Sequence, residues 1–226
     1  ITQTKYGQPS TENYAIKDYT YDGQGRVIKE TRVEPHRTTE NGDSYTQEYR
    51  YEGGQLTKII RQNPTTNWIN GERKKVNRHS EKVLAYSGSD IIVNETVTYR
   101  DGNGSVVTGT STYTETTTYT VAGGNLIKKV EGTHITEYKY DSNINPMPLN
   151  ALLRTTVPDY FLNEDYSKNN LIEEVESYTD YQGKLVKNIK SIELTYNSKG
   201  YPTMKKTFRQ RGSETKTLNY IEEIEY

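Results

Sequence analysis

Near-copies of one hairpin-like pattern follow one another along this chain. The first, residues 19–32, reads YTYDGQGRVIKETR: an alternating aromatic strand, a glycine-containing turn, and a second strand that opens with aliphatic residues. Further copies are YRYEGGQLTKII (49–60), VTYRDGNGSVV (97–107), YTVAGGNLIKKV (119–130), YTDYQGKLVKNI (178–189) and LTYNSKGYPTMKK (194–206). Because units that repeat in sequence usually stack in space, the chain is constrained to a series of neighbouring hairpins.

The residues of each copy suit an antiparallel hairpin. Tyrosines two apart, such as Tyr19 and Tyr21, lie on one face of a strand because side chains alternate between faces. Steps such as Gly53-Gly54 tolerate the positive φ of tight turns. The sequence therefore predicts an all-β fold, an antiparallel meander of about ten to thirteen strands. Since sheets of that size curl or close, we expect a strongly curved open sheet, a half-barrel or an incompletely closed porin-like barrel.

The pattern runs through the whole chain apart from one interruption. We expect residues 1–226 to form a single repeat-built β domain with an irregular insertion at about 141–170. Its prolines, Pro146, Pro148 and Pro158, are incompatible with a central strand, and the segment LNALL favours one short helical turn. Loops of this length are often functional. The alternative is that the leucines of this loop cover an otherwise bare apolar face.

Tyrosine must supply much of the apolar surface. The hydrophobic fraction of 31% includes 21 tyrosines. Counting the glycines in their place leaves roughly 30% apolar residues, against about 45–50% in ordinary globular domains. Disordered chains combine low hydrophobicity with high net charge and few aromatic residues, whereas this chain has a net charge of -1 and 11% aromatic residues. We therefore expect a folded sheet whose apolar face consists largely of tyrosine rings.

Charge, cysteine content and hydropathy exclude several classes of partner and site. With 29 basic and 30 acidic residues the chain has no electrostatic footprint for nucleic acid or for a membrane surface. The absence of cysteine excludes disulfides, thiolate nucleophiles and zinc sites built on sulfur. No stretch approaches the roughly 18 apolar residues of a membrane helix. The sequence begins at Ile1, and removal of a secretion signal is one explanation.

No constellation of catalytic or metal-binding residues stands out, so we predict no catalytic residues, no metal, no cofactor and no enzymatic activity. The three histidines are far apart in the sequence: His36, His79 and His134. We expect them on the surface, because none has a close companion typical of a local metal site. Glu173, Glu174 and Glu176 could supply the paired carboxylates of a glycosidase. Acidic residues that alternate along a strand are, however, typical of a solvated face.

Aromatic residues in two irregular stretches are the candidate ligand-binding residues. The stretch 63–71, NPTTNWING, contains the single tryptophan, Trp68, either as a ligand platform or as a loop residue folded onto the sheet. The long insertion and its end contribute Tyr160, Phe161 and Tyr166.

Two resemblances to known families lie in these motifs. YTYDGQGRVIKE resembles the YD repeat of Rhs-type and teneurin-type proteins, through Tyr19, Tyr21, Asp22, Gly25, Arg26 and Val27. The degenerate hairpins together with YKYDSNINP and YSKNNLIEEV resemble an uncharacterised group of Bacteroidetes secreted lipoproteins with a porin-like fold. The residues that carry this match are Tyr138, Tyr140, Asp141, Asn145, Pro146, Ser167, Lys168, Asn169 and Asn170. This second resemblance implies a signal and a lipid-modified cysteine upstream of Ile1, hence an exported outer-membrane lipoprotein facing the periplasm or the cell surface.

Three functions are compatible with these features. The first, which we favour, is a non-catalytic cell-envelope protein with a binding or structural role, whose partner is a glycan or an envelope protein and whose only membrane contact is the lipid anchor. The second is a carrier of a lipid or another amphiphile in a curved-sheet cavity. The third is a polysaccharide hydrolase, which a pair of carboxylates facing one cleft would favour.

Overall fold

The protein is a succession of long β-strands. The computed structural model describes residues 15–34, 44–146, 162–164 and 167–224, and the backbone of residues 2–6. Its strands are β1 (Thr2–Tyr6), β2 (Ala15–Tyr21), β3 (Val27–Val33), β4 (Tyr45–Glu52), β5 (Gln55–Ile69), β6 (Glu72–Ser87), β7 (Asp90–Arg100), β8 (Tyr113–Ala122), β9 (Asn125–Glu131), β10 (His134–Ile144), β11 (Asn169–Thr179), β12 (Leu185–Tyr196), β13 (Pro202–Arg211) and β14 (Thr217–Glu223).

The strands follow one another in the sheet in chain order, and neighbours pair antiparallel. Since β1 and β14 stand at the two ends of that order, the all-β antiparallel meander predicted from the hairpin repeats is confirmed as an open sheet. The short β1 precedes the first repeat, and the remaining strands, β2 to β14, agree with the upper end of the predicted number. In the part of the chain that the structure describes, no helix is long and apolar enough to span a membrane.

One turn design recurs at four hairpins. In each, the side-chain Oδ1 of an Asp or Asn accepts hydrogen bonds from the backbone N–H groups two and four residues later, with N···O distances of 2.9–3.0 Å. The four residues are Asp22, Asp101, Asp180 and Asn197. The fourth residue of each turn is a glycine with positive φ, as in Gly25 at 76°. A side-chain acceptor and a glycine three residues later thus fix the reversal of the chain.

The stretch that carries Trp68 is a strand, which corrects the prediction of an irregular region at 63–71. Strand β5 continues to Ile69 and pairs with β6 until Ile69 faces Glu72. Asn70 and Gly71 make the reversal with φ of 52° and 82°, the positive values of a two-residue hairpin turn. Asn-Gly is the residue pair such a turn favours, so this pair marks the tip of a hairpin and not a loop.

The irregular insertion is shorter than predicted at both ends. β10 continues through Asp141 to Ile144, and β11 begins at Asn169. The connection therefore spans residues 145–168, and the LNALL segment within it lies outside the described residues. Side-chain hydrogen bonds described below hold its two ends together.

The chain divides into two compact units. The first takes in residues 1–85, 93–115 and 155–158, and the second residues 86–92, 116–154 and 159–226. The described buried residues of the first are mostly apolar: Tyr19, Val27, Tyr49, Leu56, Ile59, Ile69, Val76, Leu84, Val93 and Val97. Those of the second are more mixed: Ile91, Leu126, Tyr138, Val175, Ile192 and Pro202 beside Thr117, Asn145, Ser167, Asn170 and Thr207. The prediction of a single repeat-built β domain over residues 1–226 stays a prediction.

Candidate functional site

The second unit contains a polar groove of about 580 Å³. Side chains of three adjacent strands, β11, β12 and β13, line it, and residues of the turn before β14 complete it. Carboxylate, ammonium, guanidinium and amide groups all contribute to this lining, together with the ring of Tyr178. Because regular sheet supports most of these side chains, their positions are fixed by strand pairing.

Strand register places the groove residues in two rows. In the first row Glu174 lies opposite Lys190, and Lys190 lies opposite Arg209. The second row joins Glu176, Asn188 and Arg211 in the same way. Residues two apart on a strand share a face, so the two rows run side by side on one surface of the sheet.

The two carboxylates that β11 contributes to the groove have partners. Lys190 Nζ lies 2.8 Å from Glu174 Oε2. The side-chain amide of Asn188 donates to Glu176 Oε2 at 2.9 Å. On its other side Glu176 Oε1 lies 2.9 Å from Nε2 of His134, whose ring contacts that of Tyr178 at a centroid distance of 5.4 Å. Glu174 and Glu176 therefore act as acceptors that hold neighbouring donors in position.

The two guanidinium groups of the groove are available to a ligand. Arg209 and Arg211 are both exposed. Neither guanidinium forms an ion pair or a hydrogen bond with another described residue. The carboxylate of Glu214, which also lines the groove, has no such partner among the described residues either. These three side chains are the uncommitted charges of the groove.

The acidic residues that the sequence placed on a solvated face are half-buried and engaged across strands. Glu173 pairs with Lys139 at 2.6 Å, and Glu174 and Glu176 line the groove. Two carboxylates thus face one cleft, which is the arrangement named above as favouring a hydrolase. Within the described residues no group of three or more His, Cys, Asp or Glu side chains could hold a metal ion.

A second polar cluster joins the two ends of the insertion. Ser167 Oγ accepts a hydrogen bond from the Leu126 N–H at 3.0 Å and donates to the Tyr140 hydroxyl at 3.0 Å. Tyr140 in turn donates to the Leu126 carbonyl at 2.6 Å. Asn145 adds a hydrogen bond from its side-chain amide to the Ser167 carbonyl at 3.1 Å. YKYDSNINP and YSKNNLIEEV, the motifs that carry the lipoprotein resemblance, therefore contact each other directly.

Asp141 is the centre of the same cluster. Its carboxylate accepts hydrogen bonds from the Asn143 side-chain and backbone N–H groups, from Asn170 and from the Tyr196 hydroxyl. Burial, and after it the hydrogen bond to Asp141, raises the pKa of Tyr196 to about 12. With its oxygens surrounded by protein donors, Asp141 fastens β10, β11 and β12 together. We assign this cluster a structural role.

The residues predicted from the sequence as ligand-binding are not those of the groove. Trp68 lies on β5 in the first unit, 66% exposed and opposite Arg73. Tyr160, Phe161 and Tyr166 lie outside the described residues, as does His36. In the sequence the groove residues are visible only as alternating polar residues in three segments, EEVES, KNIKS and FRQR. No single one of these segments forms a site, because the site appears only when the strand register aligns all three.

Comparison with known proteins finds similarity among solved structures. No family model and no curated protein matches the chain. Among solved structures it is similar to a porin-like protein from Bacteroides vulgatus, with 11% sequence identity and a TM-score of 0.44 over 97% of this chain and 98% of that one.

Proposed function

We propose that the protein is a non-catalytic cell-envelope protein that binds a glycan in the groove formed by β11, β12 and β13. The observation that carries the proposal is the lining of the groove: acceptors on β11 stand beside donors on β12 and β13, and Tyr178 contributes an aromatic ring. A hydroxyl-rich ligand requires many hydrogen bonds in a small volume. Side chains that the sheet already holds in position lose little conformational entropy when they form those hydrogen bonds.

The groove suits a polar ligand better than an apolar one. Its side chains include Glu174, Glu176, Lys190, Arg209 and Arg211, which would lose hydration without compensation against a lipid tail. Sugar hydroxyls both donate and accept hydrogen bonds, so they can pair with carboxylates and guanidinium groups alike. For this reason we favour a glycan-binding protein over a carrier of an amphiphile.

The envelope location is the part of the proposal that rests on sequence resemblance. The motifs that resemble the secreted lipoproteins meet around Ser167 and Asp141 and form the fastening of β10 to β11. We propose that the protein is exported and anchored through a lipid on a cysteine upstream of Ile1. Metabolic incorporation of a labelled fatty acid into the protein, together with fractionation of the cells, tests the anchor and the location.

Hydrolysis of a polysaccharide is the second candidate. It is favoured by Glu174 and Glu176, whose Cα atoms stand about 6.6–6.8 Å apart along one strand. Since residues two apart share a face, their carboxyl groups can reach the separation of about 5–9.5 Å found in glycosidases. Both carboxylates, however, already hold other side chains: Glu174 holds Lys190, and Glu176 holds Asn188. We therefore assign them to positioning rather than to catalysis.

Calorimetric titration with a panel of oligosaccharides tests the proposal. We expect saturable binding by the wild-type protein and a loss of fivefold or more in affinity for Asn188→Ala, because each hydrogen bond contributes about 1 kcal/mol. Lys187→Ala is the matched control, since Lys187 is the exposed neighbour of Asn188 on β12 and lies outside the groove. Cleavage products in the same mixtures would establish the hydrolase instead. The absence of binding to any oligosaccharide would overturn the proposal.

A further inference from the structure

We propose that the groove recognises an anionic group, the carboxylate or sulfate of an acidic polysaccharide, through Arg209 and Arg211. This inference rests on the proposed glycan-binding function and names the class of glycan. The groove has equal numbers of acidic and basic side chains: Glu174, Glu176 and Glu214 against Lys190, Arg209 and Arg211. A count of formal charges alone would therefore predict no preference for either sign.

The internal contacts engage two of the three acidic side chains but only one of the three basic ones. Lys190 compensates the charge of Glu174 at 2.8 Å. Glu176 keeps its negative charge, but its Oε2 accepts a hydrogen bond from Asn188 and its Oε1 lies 2.9 Å from His134 Nε2. The charged groups of the groove without a partner among the described residues are therefore two guanidinium groups, which only donate hydrogen bonds, and the single carboxylate of Glu214. The open guanidinium donors outnumber the open carboxylate, which favours an anion over a cation as the group bound between the two arginines.

The geometry of the two arginines matches a tetrahedral or planar anion. Arg209 and Arg211 alternate on β13, so their side chains leave the same face about 6.6–6.8 Å apart. A guanidinium presents parallel N–H donors in a planar fork, which binds carboxylate and sulfate oxygens in pairs. Each arginine extends one of the two rows, so an anion bound there lies at the end of a line of polar groups able to bind sugar hydroxyls.

Substitution of Glu214 is a control, because its expected effect on anion binding is opposite to that of the arginine substitutions. It lies in the turn after β13, where its backbone N–H donates to the Arg211 carbonyl at 3.0 Å, and its side chain lines the groove. A carboxylate beside the two arginines repels an anionic ligand and competes for the guanidinium groups. Removal of its charge must strengthen the binding of anions, whereas removal of the arginine charges must weaken it.

The test compares three oligosaccharides of equal length, one neutral, one with uronic acid residues and one sulfated, by calorimetry at low and at physiological salt. We expect one or both acidic sugars to bind the wild-type protein at least tenfold more tightly than the neutral one at low salt, with a smaller ratio at higher salt. In Arg209→Gln/Arg211→Gln this preference should fall about tenfold or more, since hydrogen bonds to charged groups are the strong ones. In Glu214→Gln it should rise, and Lys187→Gln should leave it unchanged.

Circular dichroism and thermal unfolding of each variant verify the fold. The two acidic sugars separate carboxylate recognition from sulfate recognition. Equal affinity for the neutral and acidic sugars, unaltered in the arginine variant, would overturn this inference and leave glycan binding intact. Failure of all three sugars to bind would overturn the glycan-binding function as well. Arginine-dependent binding to vesicles of anionic phospholipid, without binding to the sugars, would assign the anion to a membrane and would also overturn the inference.

Discussion

The hydroxyl of Tyr140 donates a hydrogen bond to the carbonyl oxygen of Leu126, a residue that is 2% exposed. In the same way, the hydroxyl of Tyr51 donates a hydrogen bond to the carbonyl oxygen of Val27 at 3.0 Å, and Val27 is 1% exposed. In both hairpins the strand register shifts at the acceptor residue, because one extra residue follows it on that strand. A bulge disrupts the ladder locally, and a buried carbonyl there needs another donor. The tyrosine of the next strand supplies it.

Replacement of Tyr140 by phenylalanine should destabilise the protein by about 1–3 kcal/mol, the cost of a buried polar group that loses its partner. The ring and its packing are retained, so the change isolates the hydroxyl. Tyr181→Phe is the control, because Tyr181 is 94% exposed and should shift stability by less than about 0.5 kcal/mol. Urea unfolding of both variants measures the difference, and equal midpoints would contradict a role for the Tyr140 hydroxyl.

Gly25→Ala should destabilise the first hairpin turn by about 1 kcal/mol, because Gly25 has φ of 76°, where a Cβ atom is disfavoured. A Cβ atom at Gly25 would meet no heavy atom within 4 Å, so the backbone angle alone is responsible. Gly23 is the matched control: it lies in the same turn with equally open surroundings and without a positive φ. Thermal unfolding should separate the two alanine variants. A larger loss for Gly23→Ala would refute the assignment.

The Asp22 carboxylate should make the first turn more stable at neutral pH than at acidic pH. Hydrogen bonds from the backbone N–H of Arg26, from its side chain and from Gln24 lower the pKa of Asp22. A group whose pKa is lower in the folded state stabilises the fold above the unfolded pKa and loses that contribution as the pH falls through the folded value. The stability difference between the wild type and Asp22→Asn should therefore shrink as the pH falls from neutral into the range below an ordinary aspartate pKa. A difference that is constant with pH would be inconsistent with this linkage.

Glu30 should be among the most sensitive positions of the first unit. It is 4% exposed, and its carboxylate lies 2.7 Å from Lys17 Nζ and 2.7 Å from the hydroxyl of Tyr45, with that of Tyr49 at 3.2 Å. Glu30→Ala leaves these donors without their acceptor and should cost about 3–5 kcal/mol. Glu48→Ala, at an exposed position on β4, should have little effect. Denaturant titration distinguishes the two, and similar losses would contradict the importance of this buried ion pair.

The fold was predictable to the extent that its interactions are local. Asp22 and Arg26 are four residues apart, so the first turn can be recognised in five letters of sequence. The groove depends instead on the register between strands: Glu176 and Asn188 are twelve residues apart, and Arg211 joins them from a third strand. Nothing in one segment fixes that register. The strand that carries Trp68 escapes prediction for a related reason. Pro64 and the polar residues around it are typical of a loop, yet Pro64 pairs with Asn77, so only the pairing of β5 with β6 identifies the strand.

Nuclear magnetic resonance of isotope-labelled protein during titration with an acidic oligosaccharide would locate the ligand. We predict that the largest shifts fall on the backbone amides of β11, β12 and β13 and on the side-chain signals of Asn188, Arg209 and Arg211, while the indole signal of Trp68 stays unchanged. Shifts confined to Trp68 and its neighbours, with the groove silent, would contradict the assignment of the binding site.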